Sequence, residues 1–312
     1  MRQPLLHAIC TLARPTLAAS TAERVAIWGA GEVGVWLAQE LDGRAVAFLD
    51  SNPAKRGARI AGRPVVDPEQ LDALDADEVW IAVLSDAQAI LDQLEQRGWG
   101  ARSRVPFEGG KRLQVLDQLD STLAFIDPAE VRGRAVLEVG FGGNLYLACL
   151  LAHLGARSIR VCDVEPQASS LGARRREWLG FLEALDQRLG SSGATAAERL
   201  ARIAIHPEPT SAGDLTFEPD SFDLVANTGV MEHVDDPSRA IAEFARVLRP
   251  GGTALCLAIG IHDHRANDPR SGFHPWSFLE HSDAQWRALG ESTYAQNRWR
   301  AVDFRRAFEA TG

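Results

Sequence analysis

Arg134-Ala-Val-Leu-Glu-Val-Gly-Phe-Gly-Gly-Asn144 is the stretch on which the fold turns. Its first six residues are a short, mainly apolar run, the pattern of a strand buried on both faces. Gly140, Gly142 and Gly143 then permit a tight turn and close approach of the backbone to a ligand. A helical pattern follows over 145–154. Strand, glycine turn and helix in that order open a parallel α/β unit, with the ligand expected at the carboxyl end of the strand.

Towards the C-terminus the same alternation continues. A strand over 158–162 ends on Asp163, and a helical insertion over 167–189 runs into Gly190-Ser-Ser-Gly193. Further strands are expected at 201–205, 221–226 and 252–259. A helix over 237–248 stops at Arg249-Pro-Gly-Gly252, a strong breaker, and 302–310 reads as a last helix with no strand after it.

Towards the N-terminus a second series is visible. An apolar strand over 24–28 runs into Gly29-Ala-Gly31-Glu-Val-Gly34, followed by a helix over 35–41. A strand over 45–49 ends on Asp50, and a strand over 78–84 precedes a helix over 86–97. The polar segment 107–110 and a helix over 111–126 separate the two series. The fold class is therefore α/β, with two doubly wound parallel-sheet domains over 1–110 and 111–312, the second short of its last strands. A five-stranded sheet exposes an edge, which favours a homo-oligomer.

At 312 residues, 46% hydrophobic and 24% charged, the chain has room for two globular cores. Its net charge of −9 argues against nucleic acid or an anionic membrane as partner. The run Arg174, Arg175, Arg176 reads as a solvated helix face. Four cysteines are far apart, and Cys162 and Cys256 fall in strand-like runs, so a reducing cytoplasm is expected. Arg2, the run 4–12 and Ala18-Ala19-Ser20 imitate a secretory leader. Arg14 and Pro15 interrupt it and a strand follows at once, so a lead-in helix is expected instead.

Glu138, Gly140 and Gly142, with Asp163 at the next strand end, resemble the first motifs of class I S-adenosylmethionine-dependent methyltransferases of the type 11 kind. The resemblance extends through Gly213-Asp214, the segment Asn227-Thr-Gly-Val-Met-Glu-His233, and Leu248-Arg-Pro-Gly-Gly252, covering residues 134–260. It implies S-adenosyl-L-methionine as cofactor. The glycine loop would approach its methionine part, Asp163 (or Glu165) would hold the ribose, and Asp214 would border the adenine. Asn144 stands where the family often has a third glycine, and Asn227 is carried as a further cofactor residue.

Methyl transfer needs an acceptor held in line and, for a hydroxyl, a base; histidine titrates near neutrality and suits the task. The candidates are His264 with Asp263 beside it, and His233, which could equally line the cofactor pocket. The spacing of His262, Asp263, His264 and their neighbours matches no fixed ligand motif, so no metal is expected. The aromatics from Phe273 to Trp286 could cover an acceptor or pack a core.

In the first series Gly29, Gly31 and Gly34 with Asp50 form a second candidate nucleotide site, or a loop that keeps the fold without a ligand. Together with Phe48-Leu-Asp-Ser-Asn-Pro53 and residues 57–66, this half resembles the nucleotide-sugar-binding-like domains in front of sugar acyltransferases and some glycan-modifying methyltransferases. That resemblance, with a looser one of residues 272–303 to bacterial methyltransferases associated with glycan or polysaccharide biosynthesis, implies O-methylation of a sugar or nucleotide-linked glycan precursor. The alternative is a non-catalytic binding or assembly protein. A nicotinamide oxidoreductase would need a hydride-transfer group that this half does not show.

Overall fold

A computed structural model describes residues 3–84, 87–107, 110–165, 174–267, 272–289 and 296–311. The chain divides into two compact units, Met1–Asp120 and Ser121–Gly312.

The first unit opens with helices α1 (Gln3–Leu12) and α2 (Arg14–Ala19), where the lead-in helix was expected. Strand β1 (Val25–Trp28) is buried throughout, and helix α3 (Glu32–Glu40) follows the glycine turn. Strands β2 (Ala45–Leu49), β3 (Arg59–Ile60), β4 (Arg63–Val66) and β5 (Glu78–Ile81) follow, then α4 (Ala87–Gln96), β6 (Ser103–Arg104) and α5 (Gly110–Leu123). The sheet order is β3-β4-β2-β1-β5-β6, parallel except for the β3–β4 pair. That hairpin is absent from the sequence reading. Its turn residues Ala61 and Gly62 both take positive φ (47° and 75°), as a tight primed turn requires, and alanine is a weak signal for one. Ile27, Phe48 and Trp80 form the fully buried centre.

In the second unit the strands are β7 (Ala135–Val139), β8 (Ser158–Cys162), β9 (Ile203–Ile205), β10 (Phe222–Thr228) and β11 (Leu248–Leu257). Between them lie α6 (Tyr146–His153), α7 (Arg175–Leu189), α8 (Ala196–Leu200) and α9 (Pro237–Val247); α10 (Asp283–Leu289) and α11 (Ala301–Thr311) come last. All pairs are parallel, in the order β11-β10-β7-β8-β9. The chain builds outward from β7 to one side, then returns to place β10 on the other. This reversal opens a crevice at the carboxyl ends of β7 and β10, where open α/β sheets bind ligands. Short elements are pinned by side chains: Thr195 and Glu198 form a reciprocal cap that starts the five-residue α8.

One expectation shifts, and another falls partly out of reach. The first part of the insertion, 166–173, lies outside the described residues. The breaker at 249–252 is an irregularity inside β11 rather than the turn before it. Pairing jumps from Phe222–Leu248 to Leu224–Thr253, and Gly251 takes φ 79°. Among the described residues, β11 pairs only with β10, which leaves it an edge strand, and α11 inserts Phe304 beside Ile241 and Phe244 of α9. No helix among the described residues is long and apolar enough to cross a membrane.

Candidate active site

The loops after β7, β8 and β10, with the segment 210–214, enclose a cleft of about 690 Å³. Gly140 lies at its floor with φ 75°, and a Cβ there would stand 2.5 Å from Val230 Cγ2. Any side chain would both strain the backbone and fill the cradle. Asp163 binds two loops together: its Oδ2 accepts the Gly142 N–H at 2.8 Å and its Oδ1 the Glu165 N–H at 3.1 Å. A carboxylate oxygen has more than one lone pair, so Asp163, which lines the cleft, can still accept from a diol. Glu165, the other candidate, is exposed and is not part of the lining. Asp214 lines the far wall, exposed and 3.9 Å from Arg239. Its loop is held by Glu243, which accepts the Leu215 N–H, and by Arg246, which donates to the Leu215 and Phe217 carbonyls.

Three expected cofactor residues lie off the lining. Glu138 is 2% exposed, and its Oε2 has no hydrogen-bond partner among the described residues. Burial pushes its carboxyl up to about 8 against a partly offsetting hydrogen bond from the Ala148 N–H, with Asp163 raising it further. It is a neutral acid beneath the loop rather than a charged hand for the cofactor. Asn227 is wholly buried and donates to Cys256 Sγ at 3.1 Å. Asn144 closes the glycine turn, its N–H donating to the Phe141 carbonyl. The Glu138 and Asn227 side chains are buried at the strand ends, which the period-two pattern does not distinguish from facing the ligand.

At the other end of the cleft, His233 lines the wall and its ring lies 5.1 Å from that of His264. Burial, and then the nearby His233, hold the His264 imidazole below its ordinary value, so it is neutral at pH 7. Asp263, its candidate companion, is committed elsewhere. Its fully buried carboxylate is taken by Arg265, through the backbone N–H, Nε and Nη2. Burial alone would raise that carboxyl, but the Arg265 hydrogen bonds hold it below its usual range. Asp263 is thus an anchor of the post-β11 loop. Two residues that the sequence reading passed over complete this end. Glu232 is 4% exposed, and its Oε1 accepts the Gly260 N–H at 2.9 Å. Gln296 accepts the His264 N–H and donates to the Gly260 and His262 carbonyls. An acid directly before His233 was the available signal for Glu232; Gln296 had none.

In the first unit, Gly29 (φ 112°) and Gly34 pack strand against helix: a Cβ on Gly34 would stand 2.0 Å from the Gly29 carbonyl oxygen. Gly31 has open space around it. Asp50 Oδ2 accepts from the Ala30 N–H at 3.0 Å and from Lys55 Nζ at 2.9 Å, and its Oδ1 accepts the Asn52 N–H. The acid is thus neutralised by Lys55, and Glu32 sits in the first turn of α3, where a phosphate would meet its negative charge.

Residues 137–256 match a protein family described as a methyltransferase domain. The chain is similar to a ubiquinone biosynthesis O-methyltransferase of Hahella chejuensis, 30% identical over 161 residues, 51% of this chain and 55% of that protein. It is also similar to an uncharacterized methyltransferase of Mycobacteroides abscessus, 33% identical over 125 residues, 40% of this chain and 39% of that one. Among solved structures, an S-adenosylmethionine dependent methyltransferase from Mesorhizobium loti is 17% identical with a TM-score of 0.40, covering 62% of this chain and 80% of that one. The chain spans about half the length of the curated relatives it matches.

Proposed function

We propose that this chain, whose second unit carries a methyltransferase domain with S-adenosylmethionine as its cofactor, transfers a methyl group to a hydroxyl oxygen of a small-molecule acceptor. One observation carries the reading: His233 and Asp163 line the same cleft, so an acceptor-side imidazole and a ribose-type acid face one volume. The cofactor brings a methyl group already activated on a positive sulfur, so the protein need only orient the partners and manage the acceptor's proton. Gly140 leaves room for the ligand, Asp163 offers lone pairs to a diol, and Asp214 borders the opposite wall. His233 and His264 stand where the acceptor hydroxyl would enter. The names of the ubiquinone biosynthesis relatives support oxygen as the receiving atom. A sugar or nucleotide-linked glycan acceptor rests on the resemblances of residues 272–303 and of the first unit alone, and the Asp50–Lys55 pair weakens the case for a nucleotide in that unit.

Calorimetric titration with S-adenosylhomocysteine tests this. The wild-type chain should bind saturably, and Asp163→Ala should weaken binding by about 1.5–3 kcal/mol, a loss of tenfold or more. A folded wild-type chain that takes up no S-adenosylhomocysteine would sink the reading.

A further inference from the structure

We infer that Glu232, His233 and His264 form a binding site for a first-row divalent cation at the acceptor end of the cleft. Each offers one ligand atom, and these atoms all lie within 4.8 Å of one another. Tetrahedral ligands about 2.0–2.2 Å from a common ion stand roughly 3.3–3.6 Å apart, so closure asks the ligand atoms to draw together by up to about 1.5 Å, through rotation of His233, the exposed member.

A further observation points to a ligand. Glu232 Oε2 is buried without a hydrogen-bond partner among the described residues, while Oε1 is held by the Gly260 N–H. A buried carboxylate oxygen with no partner is costly, and a cation is one of the few groups that satisfies it. Gly260 lets the two groups come together: a Cβ at this position would stand 2.4 Å from His264 Nε2 and 2.8 Å from Glu232 Oε1, so any side chain there would push them apart. Gln296 fixes the frame by holding the carbonyls of Gly260 and His262 and the His264 N–H.

Two imidazoles and a carboxylate suit Zn²⁺, Mn²⁺, Fe²⁺ or Co²⁺ rather than Mg²⁺ or Ca²⁺. Three protein ligands leave positions open, and His233 places them on the cleft. An acceptor hydroxyl taken there is acidified by the cation and releases its proton to water, so no imidazole need act as a free base. This role rests on the methyltransferase reading; the site itself rests on the geometry.

The test uses the tag-free full chain stripped with EDTA and titrated calorimetrically with ZnCl₂ and MnCl₂. One cation per chain is expected, bound at least tenfold more weakly by Glu232→Gln and by His264→Ala. S-adenosylhomocysteine titrations of the same variants report whether they remain folded. CoCl₂ gives an independent readout on the wild-type chain, where visible bands of a nitrogen-ligated four- or five-coordinate ion are expected. Absence of one-equivalent binding, equal binding by both variants, or a six-coordinate aquo-type spectrum overturns the site. A wild-type chain that binds S-adenosylhomocysteine and no cation overturns this inference alone; one that binds the cation and no S-adenosylhomocysteine overturns the methyltransferase reading and leaves the site.

Discussion

Glu138 shows how a single residue can carry the fold's pH dependence. In the unfolded chain its carboxyl ionises near 4.5, and in the folded chain burial raises it to about 8. Between those values the folded state holds a proton that the unfolded state has released. The stabilisation is therefore full below about pH 4.5 and is lost as pH rises through 8. Glu138→Gln keeps the shape and an acceptor for the Ala148 N–H without the titration. It should flatten the loss of stability between pH 5.5 and 8 and raise stability at pH 8 by about 1–3 kcal/mol. Urea denaturation at the two pH values measures this, and an unchanged slope in the variant would refute the assignment. The same residue marks a limit of pattern reading. The apolar run around Glu138 shows a strand buried on both faces, but not which group meets the carboxyl there; among the described residues its Oε2 has no hydrogen-bond partner.

Among the elements, α6, α7 and α8 are held by one buried guanidinium. The Arg199 side chain in α8 is 0% exposed and pairs with Asp186 of α7, while its Nη1 lies 2.6 Å from His153 Nδ1 in α6. Burial, and then Arg199 itself, keep the His153 imidazole below its ordinary value, so it accepts that hydrogen bond as a neutral ring. Removing the anion alone strands a charge in the interior. Asp186→Ala should therefore cost about 3–5 kcal/mol, whereas Arg199→Met, which removes the charge and keeps much of the volume, should cost less. Chemical denaturation of both variants decides; a larger loss for Arg199→Met would mean that packing, not charge, governs the brace. The first two helices were readable from periodicity over 145–154 and 167–189, and the five-residue α8 is marked only by its capping pair Thr195 and Glu198. The brace was not, because its three members come from separate helices and nothing in the spacing of His153, Asp186 and Arg199 pairs them.

For the molecule as a whole, the two compact units predict two unfolding transitions. The proposed function puts S-adenosylhomocysteine in the second unit, so in scanning calorimetry it should raise one transition, by several degrees at saturating ligand, and leave the other in place. A single transition that moves as one would show that the units unfold together. The sequence by itself determined the two alternating series, the parallel strands from 134 to 260, the glycine at 140 and the acid at 163. These follow from local rules: side-chain period sets the element, and a strand's carboxyl end with a glycine turn sets where a ligand lies. Only the tertiary structure decided which partner each charged group takes. It gave Asp263 to Arg265 and Asp50 to Lys55, and it brought Glu232 and His264, 32 positions apart, to either side of Gly260. A charged side chain is neutralised by whatever lies within a few ångströms, and that neighbour is chosen by how the sheet and its loops pack in space, not by order along the chain.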